Sequence, residues 1–90
     1  MEILIKKNDN NTYAVFIENS VKSNHIVTLN DDIYFEMTEG IKSKEELILF
    51  SFKFLLEREN NISILSNFNL ETIQNYFPEY KNEIQNWKNL

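Results

Sequence analysis

A nearly continuous apolar segment in the middle of the chain constrains its fold more than any other feature. Eight of the ten residues from Leu47 to Leu56 are Leu, Ile or Phe, and only Ser51 and Lys53 interrupt them. At about 100° per residue these side chains leave no wide polar face, which predicts a helix that is buried on most sides. The other elements of the chain must therefore surround this helix.

A capping box marks the start of the helix. In Ser43-Lys-Glu-Glu46 the serine oxygen can accept a backbone N–H, and Glu46 can reach back to the serine N–H. We expect the helix to end at about Glu59 or Asn60. Its two sides are predicted to meet different neighbours: the sheet for Leu47, Phe50, Phe54 and Leu55, and the C-terminal helices or another subunit for Leu49, Phe52 and Leu56.

The first third of the chain has the alternation of β-strands. Residues 2–7 and 12–19 alternate in polarity, the Asn-Asp-Asn-Asn segment 8–11 is typical of a turn, and a third run covers residues 25–30. These runs predict a three-stranded antiparallel β-meander. Pairing Lys7 with Thr12 and Asn19 with Asn24 would place His25 opposite Glu18. It would also put six residues on the core face: Ile3, Ile5, Ala14, Phe16, Val27 and Leu29.

The remaining segments predict three further helices. A short helix follows a cap at Asn30 or Thr28 and ends at Gly40, the only glycine. A later helix is capped by Asn69 and runs to about residue 77, and Pro78 opens the last one. Tyr80, Ile84 and Trp87 form one stripe of that last helix. The predicted fold is α+β in a single domain, residues 1–90, with a meander over 1–30 and, over 31–90, a short helix, a long buried helix and two C-terminal helices.

Composition removes several classes of function. The 90 residues include no Cys, one Gly and one His, and the chain has a net charge of −5. Thiolate chemistry, a two-histidine metal site and a glycine-rich phosphate loop therefore lack their residues, and we expect no cofactor and no metal. No basic stripe is present, so we expect no direct binding to nucleic acid. The residues from Met1 onward do not resemble a signal peptide and the longest apolar run is too short to span a bilayer, which predicts a soluble cytoplasmic protein without membrane contact.

Five short motifs lie between about residues 25 and 84: EELI at 45–48, SFKFLLERE at 51–59, SIL at 63–65, FNL at 68–70 and YFPEY at 76–80. Together they resemble a family of short, uncharacterised prokaryotic proteins. The resemblance implies a small bacterial or archaeal α+β domain. It implies no activity, cofactor or site residue.

The aromatic and apolar residues left over suggest a surface for a partner. Tyr and Trp are favoured anchors in protein interfaces, and we expect the chain to have more aromatic side chains than one sheet and one helix can bury. Core filling is the alternative explanation. The candidate interaction surface comprises Phe52, Leu56, Tyr76, Tyr80 and Trp87.

Three charged groups have a structural and a functional interpretation. Arg58, the only arginine, is predicted to clamp the end of the long helix onto the 60–80 region, with ligand anchoring as the alternative. His25 and Glu18 would form either a polar pair at the sheet end or a pH-sensitive pair. Asp31 and Asp32 lie in the first turn of the predicted short helix, where the helix dipole favours acidic residues. Alternatively, they gather with Glu36 and Glu39 to bind a divalent cation or to act in acid–base catalysis.

Three hypotheses for the function follow. The leading one is a non-enzymatic protein–protein interaction or regulatory module that self-associates, for example as a homodimer. The alternative is an acidic inhibitor of a nucleic-acid-handling protein, of the phage or mobile-element type. The third is a small enzyme that uses carboxylates, for which we predict no catalytic residue.

Overall fold

The computed structural model describes residues 1–90 and shows an α+β fold in which a four-stranded sheet packs against helices. The elements in chain order are β1 (Glu2–Lys7), β2 (Thr12–Glu18), β3 (Ser23–Thr28), α1 (Asp31–Thr38), α2 (Lys44–Leu56), a 3-10 turn (Asn61–Ser63), β4 (Asn67–Asn69), a second 3-10 turn (Leu70–Thr72), α3 (Ile73–Tyr76) and α4 (Tyr80–Lys88). One cluster of 17 buried apolar side chains forms the core between sheet and helices. No helix is both long enough and apolar enough to cross a membrane.

The sheet has one strand more than the predicted meander. β4 adds to β3 in parallel, with Val27 opposite Phe68, and the N–H of Ile26 donates to the carbonyl of Ser66 at 2.8 Å. The sheet order is β1-β2-β3-β4. A strand of three residues is too short to show a periodic pattern, so the sequence suggested only a turn here and a helix cap at Asn69.

The predicted pairing is wrong in both hairpins, by one residue between β1 and β2 and by three residues between β2 and β3. Lys7 lies opposite Tyr13, and Ile17 lies opposite Ser23. The carboxylate of Asp9 accepts the N–H groups of Asn11 and Thr12, both at 2.8 Å, and this turn takes up one more residue than expected. A shift by one residue exchanges the two faces of a strand. β2 therefore buries Tyr13, Val15 and Ile17 in the core, whereas Phe16, predicted for the core, is 40% exposed. Ala14, also predicted for the core, is buried but lies outside the main apolar cluster.

His25 is buried in the interior and does not pair with Glu18. It lies opposite Val15, and its Nδ1 is 2.8 Å from the carbonyl oxygen of Leu65. A carbonyl only accepts, so Nδ1 carries the proton and Nε2 accepts from the Ser23 hydroxyl at 2.9 Å. The Asn61 amide donates to the same hydroxyl oxygen. This chain of hydrogen bonds fastens the segment after α2 to β3.

The start of α2 is confirmed, and the predicted sides of its three phenylalanines are reversed. The Ser43 hydroxyl accepts the Glu46 N–H, and the Glu46 carboxylate accepts the Ser43 N–H. The helix ends at Leu56, earlier than expected. Phe52 packs against His25 and Phe68 of the sheet. Two of the four residues assigned to the sheet, Phe50 and Phe54, instead contact Trp87, Phe77 and Tyr80 of the C-terminal segment.

The other helix boundaries follow local chemistry. α1 begins after Asn30. The two residues that follow it, Glu39 and Gly40, both have positive φ and end the helix. Only the second of these is a glycine, and a side chain there would meet the ring of Phe35 at 3.0 Å. In α4 the predicted stripe is present: Tyr80 and Ile84 are buried and Trp87 is half-buried.

Candidate functional site

A surface pocket of about 160 Å³ lies between the C-terminal end of α2 and the segment that carries α3. Seven of its ten lining residues are apolar. The lining residues are Leu55, Glu59, Ser63, Ile64, Leu65, Phe68, Thr72, Ile73, Tyr76 and Phe77.

The pocket forms at the point where α2 ends and the backbone changes direction. The N–H groups of Arg58 and Glu59 both bond to the carbonyl of Leu55, which turns the backbone away from the helix axis. The next residues are fastened to the sheet through Asn61 and through the bond between His25 and Leu65. The pocket is the space between this segment and the C-terminal end of α2.

The pocket has a buried floor and an exposed apolar rim. Ile64, Phe68 and Ile73 at its base belong to the core. At the rim, Tyr76 is 66% exposed and Leu65 is 49% exposed. Apolar side chains that are exposed beside an apolar depression are the pattern of a binding surface.

Glu59 is the single charged residue of the pocket. Its carboxylate makes no hydrogen bond and no salt bridge within the chain, whereas the neighbouring Glu57 lies 3.4 Å from Arg58. Burial raises the pKa of the Glu59 carboxyl above its ordinary value. A cation placed beside this carboxylate would restore the stabilisation that burial removes.

Arg58 joins the end of α2 to α4. Its guanidinium donates to Glu79 at 3.1 Å, to Glu83 at 2.7 Å and to the carbonyl of Phe54 at 2.9 Å. The guanidinium carbon also lies 3.6 Å from the centre of the Phe54 ring. The pKa of the Glu79 carboxyl is lowered by its own backbone N–H and by Arg58. These are the contacts predicted for a clamp, and they leave the guanidinium committed to the chain itself.

The predicted interaction surface does not exist as one patch. Phe52 and Tyr80 are fully buried, so their assignment to the surface is wrong. The Tyr80 hydroxyl lies 2.5 Å from the Ser51 hydroxyl, and burial raises the pKa of Tyr80. Trp87 is half-buried because it stacks on Phe50. The two other predicted residues, Leu56 and Tyr76, retain exposed surface, and only Tyr76 lies at the pocket.

Two of the four acidic residues after the strands form ion pairs with lysines elsewhere in the chain. Asp31 lies 2.7 Å from Lys44, and Glu39 lies 3.5 Å from Lys88. No group of three or more His, Asp or Glu side chains comes together in a way that would hold a metal ion.

Sequence reasoning missed Glu59 and Leu65 as site residues. The pocket joins positions more than ten residues apart, such as Leu55 and Tyr76, and no periodic pattern connects them. The available signal was the isolation of Glu59 at the end of an apolar helix, with no base three or four residues away on either side.

Comparisons with protein-family models, with curated proteins and with solved structures find no match for this chain.

Proposed function

We propose that this chain is a non-enzymatic interaction module that binds a partner protein through the pocket at the end of α2. One apolar side chain of the partner fills the pocket, and a Lys or Arg of the partner lies beside Glu59. The observation that carries this proposal is a small apolar surface pocket that contains one carboxylate without a cation.

The size of the pocket favours a side chain over a free ligand. Pockets for metabolites and cofactors usually measure about 300 to 1,000 Å³. A cavity of about 150 Å³ accepts a molecule the size of benzene. At about 160 Å³ this pocket suits one Leu, Ile, Met or Phe side chain.

The charge of the site favours a basic partner. An unpaired carboxylate in a partly buried position gains from a nearby cation, because the surroundings screen the interaction less than water does. The chain as a whole carries a net charge of −5, which attracts a basic protein before contact is made.

The polar groups of the pocket support binding more than catalysis. They comprise the Glu59 carboxylate and the hydroxyls of Ser63, Thr72 and Tyr76. A hydrolase needs a nucleophile with an adjacent base, and a carboxylate enzyme generally needs two acids with different roles. Glu59 is the only acid of the pocket, and its carboxylate is not hydrogen-bonded to any of these hydroxyls.

A peptide library displayed on phage tests the proposal. Selection on the wild-type protein should enrich sequences with an apolar residue next to Lys or Arg, and those peptides should shift the amide resonances of Leu65 and Tyr76. Binding should fall about tenfold or more in Glu59→Gln and in Tyr76→Ala. The matched control is Phe35→Ala, which removes another exposed aromatic ring, far along the chain on α1.

Two outcomes would contradict this function. Peptides that bind both pocket variants as well as the wild type would place the interaction elsewhere. A partner that is displaced by duplex DNA or RNA, and that binds Tyr76→Ala normally, would support the acidic-inhibitor alternative instead.

A further inference from the structure

The first strand leaves one side of its backbone unpaired. β1 is at the edge of the sheet and pairs only with β2. The N–H of Asn8 donates to the carbonyl of Thr12, so these two residues form a hydrogen-bonded pair in the same register as the strands. Hydrogen-bonded pairs alternate in an antiparallel ladder. The backbone groups of Leu4 and Lys6 therefore point to β2, and those of Ile3 and Ile5 point to the free edge.

The other side of β2 agrees with this assignment. The N–H of Leu29 donates to the carbonyl of Asn11, again in register with the ladder between β2 and β3. Tyr13, Val15 and Ile17 then direct their backbone groups to β3, which leaves Ala14 and Phe16 for β1.

The sequence of β1 is complementary to itself. Two antiparallel copies of Glu2–Lys6 centred on Leu4 place Glu2 opposite the partner's Lys6, and Ile3 opposite the partner's Ile5. Opposite charges that face one another across strands are stabilising, and like charges are destabilising. A pairing shifted by two residues loses the match between acid and base.

The surface beside β1 is apolar where a second copy would lie. Leu4 is 56% exposed on the outer face of the sheet. On the inner side, Met1, Ile3 and Leu56 line a depression between β1 and α2, and Lys53 and Glu57 flank it. β1 has no proline and its ladder to β2 is continuous, so it lacks two of the usual devices that prevent edge pairing.

We propose that two copies of the chain associate through β1, antiparallel and centred on Leu4, to form one continuous eight-stranded sheet. The four backbone hydrogen bonds of this pairing come from Ile3 and Ile5 of each copy. The axis of two-fold symmetry passes between the two Leu4 residues, so the surface is the same on both copies and the association closes at two. The inference does not depend on the pocket at Glu59, which lies at the other end of the sheet order, beside β4.

Charge reversal tests the register directly. Sedimentation or light scattering from micromolar to millimolar concentration should show a species of twice the 10.8 kDa chain mass. Glu2→Lys and Lys6→Glu should each weaken dimerisation about tenfold or more, because each creates two like-charge pairs, one on either side of the two-fold axis. The double variant Glu2→Lys/Lys6→Glu restores both pairs and should dimerise like the wild type. Lys81→Glu, an exposed change of the same charge on α4, is the matched control and should have no effect.

Amide hydrogen exchange provides an independent measurement. As the protein concentration rises, the amides of Ile3 and Ile5 should become protected, whereas those of Leu4 and Lys6 are already protected in the monomer. A monomer at every concentration, or a double variant that dimerises no better than the two single variants, would overturn the proposal. A dimer in which Ile3 and Ile5 exchange freely would also overturn it.

Discussion

The ring of Phe52 lies 5.6 Å from the imidazole of His25, and this contact joins the long helix to the centre of the sheet. Phe52 also packs against Phe68 of β4 and is fully buried. Truncating a buried Phe to Ala removes its contacts and leaves a cavity.

We expect Phe52→Ala to lower the free energy of unfolding by about 3 to 5 kcal/mol, a large part of the stability of a small domain. Phe54→Ala should cost a similar amount, since Phe54 is buried on the opposite side of α2. Urea unfolding followed by circular dichroism measures both. Ile62→Ala, at an exposed position, is the control and should change stability by less than about 0.5 kcal/mol. A Phe52→Ala variant as stable as this control would show that Phe52 is not part of the core.

Arg58 should stabilise the packing of α4 on α2. Arg58→Ala removes the bonds to Glu79 and Glu83 and the contact with the Phe54 ring, and should lower the free energy of unfolding by about 1 to 2 kcal/mol. Arg58→Lys should restore only part of this, since an ammonium group cannot hold two carboxylates in the geometry of a guanidinium. Urea unfolding of both variants checks the order. If Arg58→Lys is as stable as the wild type, the fork geometry of the guanidinium contributes nothing.

Tyr80 and Ser51 should behave as a pair. Ser51→Ala leaves the buried Tyr80 hydroxyl without its partner, and the cost should be about 1 to 3 kcal/mol. Tyr80→Phe in the same background removes the orphaned hydroxyl, so the double variant should be more stable than Ser51→Ala alone. Thermal unfolding of the two single variants and the double variant measures this coupling. Additive losses would mean that the two hydroxyls do not depend on each other.

Glu59 should make stability depend on pH in a direction that is unusual for a carboxylate. Burial raises its pKa in the folded protein, so the folded state binds this proton more tightly than the unfolded chain does. Stability therefore falls as pH rises through the folded-state pKa. Glu59→Gln should melt at a higher temperature than the wild type at pH 7, and the difference should disappear below about pH 4, where both states of the wild type are protonated.

Glu57→Gln removes the same charge two residues away, beside Arg58, and should give no such gain. If Glu59→Gln melts at the wild-type temperature at pH 7, burial of the ionised Glu59 carboxylate does not destabilise the folded protein. The same substitution is expected to weaken partner binding, so it should raise stability and lower function together.

The parts of the fold that were predictable from the sequence are set by local chemistry. The capping box of Ser43 and Glu46 and the end of α1 near Gly40 depend on residues within one turn of each other. The stripe of α4 follows helical spacing and needs no knowledge of its neighbours. A clamp by Arg58 was also predicted, but its carboxylate partners were not, since Glu79 and Glu83 lie more than 20 residues further along the chain.

The errors arise where the choice is not local. The register of β1 and β2 depends on how many residues the Asp9 turn takes up, and both possible registers bury apolar side chains. α2 is apolar all round, so its sequence pattern does not distinguish the side that meets the sheet from the side that meets α4. The pocket was not predictable because Leu55, Ile64 and Tyr76 meet only once the chain has folded.

The most direct test of the proposed function is a double-mutant cycle between Glu59 and the basic residue of a selected peptide. Affinities are measured for the wild type and Glu59→Gln, each with the parent peptide and with a peptide whose Lys or Arg is replaced by norleucine. The proposal predicts that Glu59→Gln weakens the parent peptide about tenfold and the norleucine peptide much less. Equal losses with both peptides would contradict the pairing of Glu59 with a partner cation.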